Sequence, residues 1–432
     1  MRLYSTNNPK VTYSLKEAIL QGLPADNGLF MPLDIPRLAN RFIDNLDQLS
    51  FTEIALELSR SYLQDDLDED SIVTLVEDVF DFEVPLVPVT DDIYCLELFH
   101  GPTLAFKDFG ARFMAQLISR LLQEADEKPC ILVATSGDTG SAVAQGFYKV
   151  PGIDVVILYP KGKVSEIQEK QLTTIGANVT ALEIAGTFDD CQRMVKQAFL
   201  DSELRKKRNL TSANSINIAR LIPQSFYYFQ VFARLKHLQK PVVCSVPSGN
   251  FGNLMGGLLA KRMGLPIWKF VAANNDNRVF FDYLSSGEFQ PRPSIETISN
   301  AMDVGYPSNF SRIKDLYANS LDSLKEDVIG FTYSDEQTRK TIYQVYLDTG
   351  YILDPHGAIG YMGLREFMNS QNGLVGAFLG TAHPAKFLDV VHPLVSGRVE
   401  IPSRLQQVLE RPKHAVELSS DYPEFKQYLL SN

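Results

Sequence analysis

A lysine lies between two phenylalanines at the start of a predicted helix. Residues 100–110 read HGPTLAFKDFG, and apolar side chains at helical spacing follow. Burial and the positive end of the helix dipole both disfavour a protonated amine, so the pKa of Lys107 should be lowered. Such an amine suits Schiff-base chemistry. The segment also fits a lysine whose ammonium reaches solvent along an apolar stretch.

Two glycine-rich turns each follow an apolar strand and precede a helix. Residues 134–142 read ATSGDTGSA, and residues 247–253 read PSGNFGN. Backbone amides converge at such a turn and favour an anion. The first turn lacks the lysine of a nucleotide P-loop, and each turn also fits an ordinary strand-to-helix connection. Together they suggest two phosphates, one from a cofactor and one from a substrate.

Two further segments carry polar groups near these turns. In residues 211–220, TSANSINIAR, Asn214 and Ser215 are predicted to cap a helix that carries Arg220, and an arginine is well suited to bind phosphate. A helix cap with a surface arginine fits the same pattern. In residues 380–387, GTAHPAKF, Thr381 offers a neutral hydroxyl to a ring nitrogen, whereas His383 is expected to be structural.

The elements that position these segments alternate between strands and helices. Short apolar runs, typical of strands buried on both faces of a parallel sheet, lie at 130–134, 155–159, 179–184, 242–246, 270–273 and 375–379. Capping boxes predict helices after Ser14, Ser165 and Thr187, the second of them ending at Gly176. The order predicts a mostly parallel α/β fold, and the tail 402–432 is expected to be helical.

Composition restricts the class of protein. The 432 residues are 45% hydrophobic and carry a net charge of -11, which argues against nucleic-acid binding. Cysteines occur at four separated positions, which supports neither a disulfide scaffold nor a metal site, and Cys130 and Cys244 are expected to be small buried hydrophobes. With no apolar leader and no stretch long enough to span a bilayer, we expect a cytoplasmic protein without membrane contact.

Taken in order, FKDFG, TSGDTG, NSINIAR, PSGNFGN and GTAHPAKF resemble the threonine synthases. The resemblance runs from Asn27 to Lys386. It implies a two-lobed α/β enzyme of the tryptophan synthase β-like type (fold type II), with mostly parallel sheets, helices on both faces and an N-terminal helical segment. The implied division is 1–90 for the N-terminal segment on the large domain, 91–125 for the large-domain part with the lysine, 126–222 for the small domain, and 223–432 for the large domain and tail.

The resemblance also implies a cofactor, pyridoxal 5'-phosphate (PLP), and roles for individual residues. Lys107 would form the cofactor's Schiff base, and Thr381 would face its pyridine nitrogen. The cofactor phosphate would be bound by the amides of Gly249, Asn250, Phe251, Gly252 and Asn253. The substrate phosphate would be bound by Ser136, Thr139, Asn214, Ser215 and Arg220.

One residue departs from the broader fold family, where asparagine is typical beside the cofactor's 3′-oxygen. This chain has Asp138 there, as the longer bacterial and fungal threonine synthases do. An acid beside a phenolate oxygen should be protonated or turned away.

The implied reaction converts O-phospho-L-homoserine and water to L-threonine and phosphate, as a carbon–oxygen lyase does. Lys107 would move protons at Cα and Cβ, which explains why no separate histidine or carboxylate base stands out. Three alternatives remain open on sequence: a phospholyase that releases a 2-oxo acid, a serine or threonine dehydratase, and a phosphometabolite sensor without catalysis. Arg220 argues against the dehydratase, and Lys107 against the sensor.

Overall fold

The computed structural model describes residues 1–122, 128–135 and 137–431. The N-terminal segment forms an antiparallel sheet, ordered β2-β1-β3, and four helices. Its elements are β1 (Arg2–Ser5), β2 (Asn8–Ser14), α1 (Leu15–Gln21), β3 (Phe30–Pro32), α2 (Asn40–Asp44), α3 (Phe51–Leu63) and α4 (Glu69–Val79).

The middle of the chain alternates between strands and helices, as predicted. Its elements are β4 (Leu86–Thr90), β5 (Ile93–Glu97), α5 (Lys107–Leu121), β6 (Pro129–Ala134), α6 (Asp138–Gly146), β7 (Asp154–Pro160), α7 (Glu166–Thr173), β8 (Val179–Ala185), α8 (Phe188–Leu200), α9 (Ser202–Lys207), β9 (Asn209–Ser212), α10 (Ile218–Leu221) and α11 (Phe226–Leu235).

The remaining elements complete both larger sheets. They are β10 (Val242–Pro247), α12 (Gly252–Arg262), β11 (Ile267–Asn274), α13 (Val279–Ser286), α14 (Phe310–Leu316), α15 (Leu321–Asp327), β12 (Val328–Thr332), α16 (Asp335–Thr349), α17 (Pro355–Asn369), β13 (Val375–Gly380), α18 (Leu388–Val391), α19 (Ser403–Leu409), β14 (Val416–Ser419) and α20 (Tyr422–Ser431).

The two larger sheets are mostly parallel. The six-stranded sheet has the order β12-β11-β10-β13-β5-β4, and β4 is its antiparallel edge strand. The five-stranded sheet has the order β14-β8-β7-β6-β9 and is parallel throughout. Every residue of β6, β10 and β13 is buried, which explains why these strands appear in the sequence as unbroken apolar runs.

Three helices begin at the predicted capping residues, and one of them ends earlier than predicted. Ser14, Ser165 and Thr187 each cap a helix in a reciprocal capping box, opening α1, α7 and α8. Helix α7 ends at Thr173 with Thr174 as its cap, before the predicted stop at Gly176.

The C-terminal tail differs from its expected place. The predicted division assigns it to the large domain as helical, but β14 pairs in parallel with β8 at the edge of the five-stranded sheet, and Phe425 of α20 joins the core of that sheet. No apolar run marks β14 in the sequence, because its residues are exposed or half-buried.

The four cysteines are free and buried, in agreement with the expectation for Cys130 and Cys244. Within the described ranges, each helix is either too short or too polar to cross a lipid bilayer.

Candidate active site

Three loops meet where strands of the two parallel sheets end. They follow β6, β10 and β13, and the carboxyl ends of such strands are where ligands collect in α/β proteins. The loop after β13 runs antiparallel to the segment just before α5. The Phe106 amide donates to the Thr381 carbonyl at 2.9 Å, and the His383 amide donates to the Leu104 carbonyl at 3.0 Å. Because Lys107 follows Phe106 directly, this pairing places Lys107 close to Thr381.

Lys107 is the first residue of α5 and is half-buried, as the sequence predicted. Burial lowers the pKa of its amine to about 8, the positive charges of Lys386 and Arg220 act in the same direction, and the carboxylate of Asp138 opposes them. About a tenth of this amine is therefore unprotonated at pH 7, far more than for an ordinary lysine, and the unprotonated form is the one that nucleophilic chemistry requires.

The loop after β10 presents a row of backbone amides. Among the described residues, the amides of positions 249–253 have no hydrogen-bond acceptor, although α12 begins within this stretch. The backbone of Phe251 has a φ of 59°, an unusual value for a residue with a bulky side chain. Its ring packs on Phe280 with the ring centroids 4.6 Å apart, which fixes this part of the loop. Five free amides at a helix N-terminus form a site for an anion.

The two glycines of this loop have different surroundings. A Cβ added to Gly249 would lie 2.8 Å from both the Ala301 carbonyl oxygen and the Met302 Cα, so this position admits only glycine without movement of the backbone. A Cβ on Gly252 would have no neighbour nearer than 3.5 Å. Space therefore remains above Gly252 for a ligand, whereas Gly249 is closely packed.

Asn214 and Ser215 connect the two glycine-rich loops. The Asn214 amide group donates to the Ala134 carbonyl at 3.3 Å, beside the first loop, and the Asn250 amide group donates to the Ser215 hydroxyl at 2.6 Å. They do not cap a helix, so that prediction is wrong. Asn217 is the cap of α10, since its side chain accepts from the Ala219 amide.

Arg220 lies in α10 with its guanidinium buried. Its Nη1 donates to the Ala213 carbonyl, while its Nε has no acceptor in the part of the chain that the structure describes. Burial lowers the pKa of Arg220 to about 10, although the Asp108 carboxyl group opposes the shift. A buried guanidinium with an unused donor is costly unless an anion binds, so this residue points to an anionic ligand.

Two threonines expected at the site carry unused hydroxyl groups. Thr139 is half-buried at the start of α6, and Thr381 is buried at the end of β13; neither hydroxyl bonds to another described residue. Ser136, also expected to bind substrate, lies outside the described residues. His383 is structural as expected, because its Nδ1 accepts from the Ala385 amide and burial lowers its pKa to about 4.

Asp138 pairs with a buried lysine, so the lowered pKa of its carboxyl disagrees with the expectation of a protonated acid. Its Oδ1 accepts from the Lys386 ammonium at 2.6 Å and from the Gln168 amide group at 3.0 Å. Burial opposes ionisation of this carboxyl, but the charges of Lys386 and Lys107 and these hydrogen bonds outweigh it, so the pKa of Asp138 is lowered. Lys386 supplies the compensating charge that the sequence analysis did not identify.

Arg312 is a second residue that the sequence analysis missed. It is fully buried and donates to four acceptors: the carbonyls of Phe30, Ser215 and Ile216, and the side chain of Asn309. It binds the carbonyls of 215 and 216, and the amides of these two residues have no described acceptor. No local pattern marks such a residue, since its partners come from distant parts of the chain.

Comparisons with known proteins agree over the full length. Family models match residues 84–375 as a pyridoxal-phosphate dependent enzyme, residues 2–80 as the threonine synthase N terminus and residues 357–429 as the threonine synthase C-terminal region. A threonine synthase from Serratia marcescens is 44% identical, with 100% of this chain and 99% of the relative covered.

Two solved structures are similar to this chain. The crystal structure of threonine synthase from Escherichia coli has 40% identity, a TM-score of 0.92 and coverage of 100% of both chains. The structure of PLP-bound threonine synthase from Brucella melitensis has 33% identity and a TM-score of 0.93, covering 99% of this chain and 98% of that one.

Proposed function

This chain belongs to the threonine synthase family of PLP-dependent enzymes, and on that premise we propose that it converts O-phospho-L-homoserine and water to L-threonine and phosphate at the site described above. The observation that carries the proposal is the placement of a lysine amine of lowered pKa among two groups of unused anion donors. One group is the row of amides at 249–253, and the other is centred on Arg220.

The residues present fit the cofactor. The unused amides of Gly249, Asn250, Phe251, Gly252 and Asn253 would hold its phosphate, and the room above Gly252 would admit it. Lys107 would form its Schiff base, and the neutral Thr381 hydroxyl would face its pyridine nitrogen. When bound, the cofactor supplies an electron sink next to the substrate's Cα.

The substrate phosphate would lie on the second group of donors. Arg220 contributes its buried guanidinium, while Asn214, Ser215, Thr139 and Ser136 contribute neutral donors. Phosphate is also the group that the reaction releases, so these donors would stabilise the charge that develops on it.

Lys107 would act on protons at two carbons of the substrate. Because the pKa of its amine is lowered to about 8, it can accept a proton from Cα at neutral pH and return a proton later in the reaction. Within the described loops no histidine is placed for this role, since His383 has its Nδ1 engaged by a backbone amide.

The experiment that tests the function measures both products. Purified protein supplied with O-phospho-L-homoserine should release phosphate and L-threonine in equal amounts. Phosphate accompanied by a 2-oxo acid instead of threonine would identify a phospholyase and refute the proposal. Equal turnover of L-serine or L-threonine would point to a dehydratase.

We place the enzyme in the cytoplasm, where its buried cysteines would remain reduced. With a net charge of -11, neither nucleic acid nor an anionic membrane surface is proposed as a partner.

A further inference from the structure

Lys386 has a fully buried ammonium that connects two parts of the active site. It lies in the short 3₁₀ turn Pro384–Phe387 after β13, and its side chain has no exposed surface. Its Nζ is 2.6 Å from Asp138 Oδ1, at the start of α6, and 3.0 Å from the Thr103 carbonyl oxygen. The ammonium therefore joins the first glycine-rich loop to the segment that precedes Lys107.

Thr103 is itself fixed to the helix that carries Lys107. Its amide donates to Asp108 Oδ2 at 2.8 Å, and its hydroxyl donates to Asp108 Oδ1 at 2.6 Å. Its carbonyl accepts from Gln171 at 3.2 Å as well as from Lys386. Asp108 follows Lys107 in the sequence. Lys386 is therefore linked to the first turn of α5 through a single residue, Thr103.

We propose that Lys386 is a positioning residue for Lys107: its ammonium holds Asp138 as a carboxylate beside the Lys107 amine and ties both to the Thr103 segment. This inference rests on the proposed role of Lys107. It also explains how an aspartate can occupy a position where the broader fold family has asparagine, because Lys386 balances the additional negative charge.

The charges around Lys107 determine the sign of the expected effects. Asp138 favours the protonated amine, whereas Lys386 and Arg220 disfavour it; Asp108, on the same helix, is engaged by Thr103. Removing the Lys386 charge removes one opposing charge and leaves the Asp138 carboxylate without its compensating partner. Removing the Asp138 charge leaves two positive groups. The two changes should shift the pKa of the Lys107 nitrogen in opposite directions.

The test is a pH titration of the visible spectrum of the holoenzyme, which reports the protonation of the cofactor-bound Lys107 nitrogen without turnover. Relative to wild type, Lys386→Met should raise this pKa by about 1 and Asp138→Asn should lower it by about 1, the lower end of the range for a close charge. Lys386→Arg, which keeps the charge, should titrate near wild type. The double variant Asp138→Asn/Lys386→Met should fall between the single variants.

A matched control removes a different lysine–aspartate pair. Lys240 Nζ lies 2.6 Å from Asp92 Oδ1. Lys240 precedes β10 and Asp92 precedes β5, so this pair lies at the amino ends of these strands, opposite to the end where the loops of the site lie. Lys240→Met should leave the spectral pKa unchanged. If Lys386→Met does not fold, Lys386→Gln removes the charge but keeps a hydrogen-bond donor, and the same rise is expected.

Two outcomes separate this inference from the proposed function. Borohydride reduction and peptide mapping that place the cofactor on a lysine other than Lys107 would overturn the proposed function. An adduct on Lys107 with both single variants shifting in the same direction, or with neither differing from Lys240→Met, would overturn the role of Lys386 alone.

Discussion

Replacement of Arg220 by alanine tests which phosphate each group of donors holds. The guanidinium is buried, makes one bond to the Ala213 carbonyl and has an Nε without a described acceptor. If it binds the substrate phosphate, Arg220→Ala loses charge-assisted hydrogen bonds to a dianion, while the amides at 249–253 still hold the cofactor. The variant should keep its yellow colour and its full PLP content.

The size of the effect follows from the strength of such bonds. Loss of a buried charge-assisted interaction costs about 2–4 kcal/mol, which corresponds to about a 30- to 1,000-fold fall in kcat/KM. Loss of a neutral hydroxyl costs about 1 kcal/mol, so Thr139→Ala should lower kcat/KM by about fivefold. The difference in magnitude between these two variants is part of the prediction.

The assay combines phosphate release with a binding measurement. L-homoserine, which lacks the phosphate, should perturb the cofactor spectrum of wild type and Arg220→Ala with similar Kd, whereas phosphohomoserine should bind the variant much more weakly. Arg193→Ala, which removes an arginine from the exposed face of α8, is the control for loss of an arginine and should behave as wild type. A colourless Arg220→Ala protein with an intact fold, or one with wild-type kcat/KM, would refute the assignment.

Four other variants test the remaining assignments. Lys107→Ala should lose the visible absorbance and all turnover, and borohydride should then trap no cofactor; a persistent adduct would place the Schiff base elsewhere. Gly249→Ala should lower the melting temperature of the cofactor-free chain, because its Cβ would lie 2.8 Å from backbone atoms, whereas Gly252→Ala should leave that temperature unchanged and weaken PLP binding; equal PLP affinity in Gly252→Ala and wild type would argue against a phosphate above this residue. Arg312→Met should raise KM for phosphohomoserine with little change in PLP content, since it frees the 215 and 216 carbonyls; a wild-type KM in a folded variant would contradict its positioning role.

The sequence predicted those parts of the molecule that depend on local pattern. Strands such as β6 and β10 are buried on both faces and therefore stand out as apolar runs, and Ser14 caps α1 through residues three positions apart. The cap of α10 was assigned to the wrong residues because the segment offers several candidates. Asn217 is selected by a distant contact, the Ile19 carbonyl that its side chain also binds.

Lys386 and Arg312 were missed because their partners come from distant parts of the chain. Asp138 was expected to be protonated or turned away, because nothing in the linear pattern identified a lysine that would balance its charge. Lys386 reaches Asp138 because the loop after β13 contacts the start of α6. That contact depends on how the two sheets pack together, and neither segment alone predicts it. Arg312 gave no signal at all, since its acceptors lie at Phe30 and in the 215–216 peptides.

The buried charges of the site also explain how an acidic chain can bind two phosphates. Four of these groups are positive when protonated: Lys107, Lys386, Arg220 and Arg312. Of the two carboxyl groups beside them, burial raises the pKa of Asp108, whereas the pKa of Asp138 is lowered. The lowered pKa values of Lys107, Arg220 and Arg312 share a cause, since burial removes each cation from water and Asp138 is already engaged by Lys386. Anionic ligands would relieve this excess where it is buried, so their binding depends on these few groups and not on the net charge of -11.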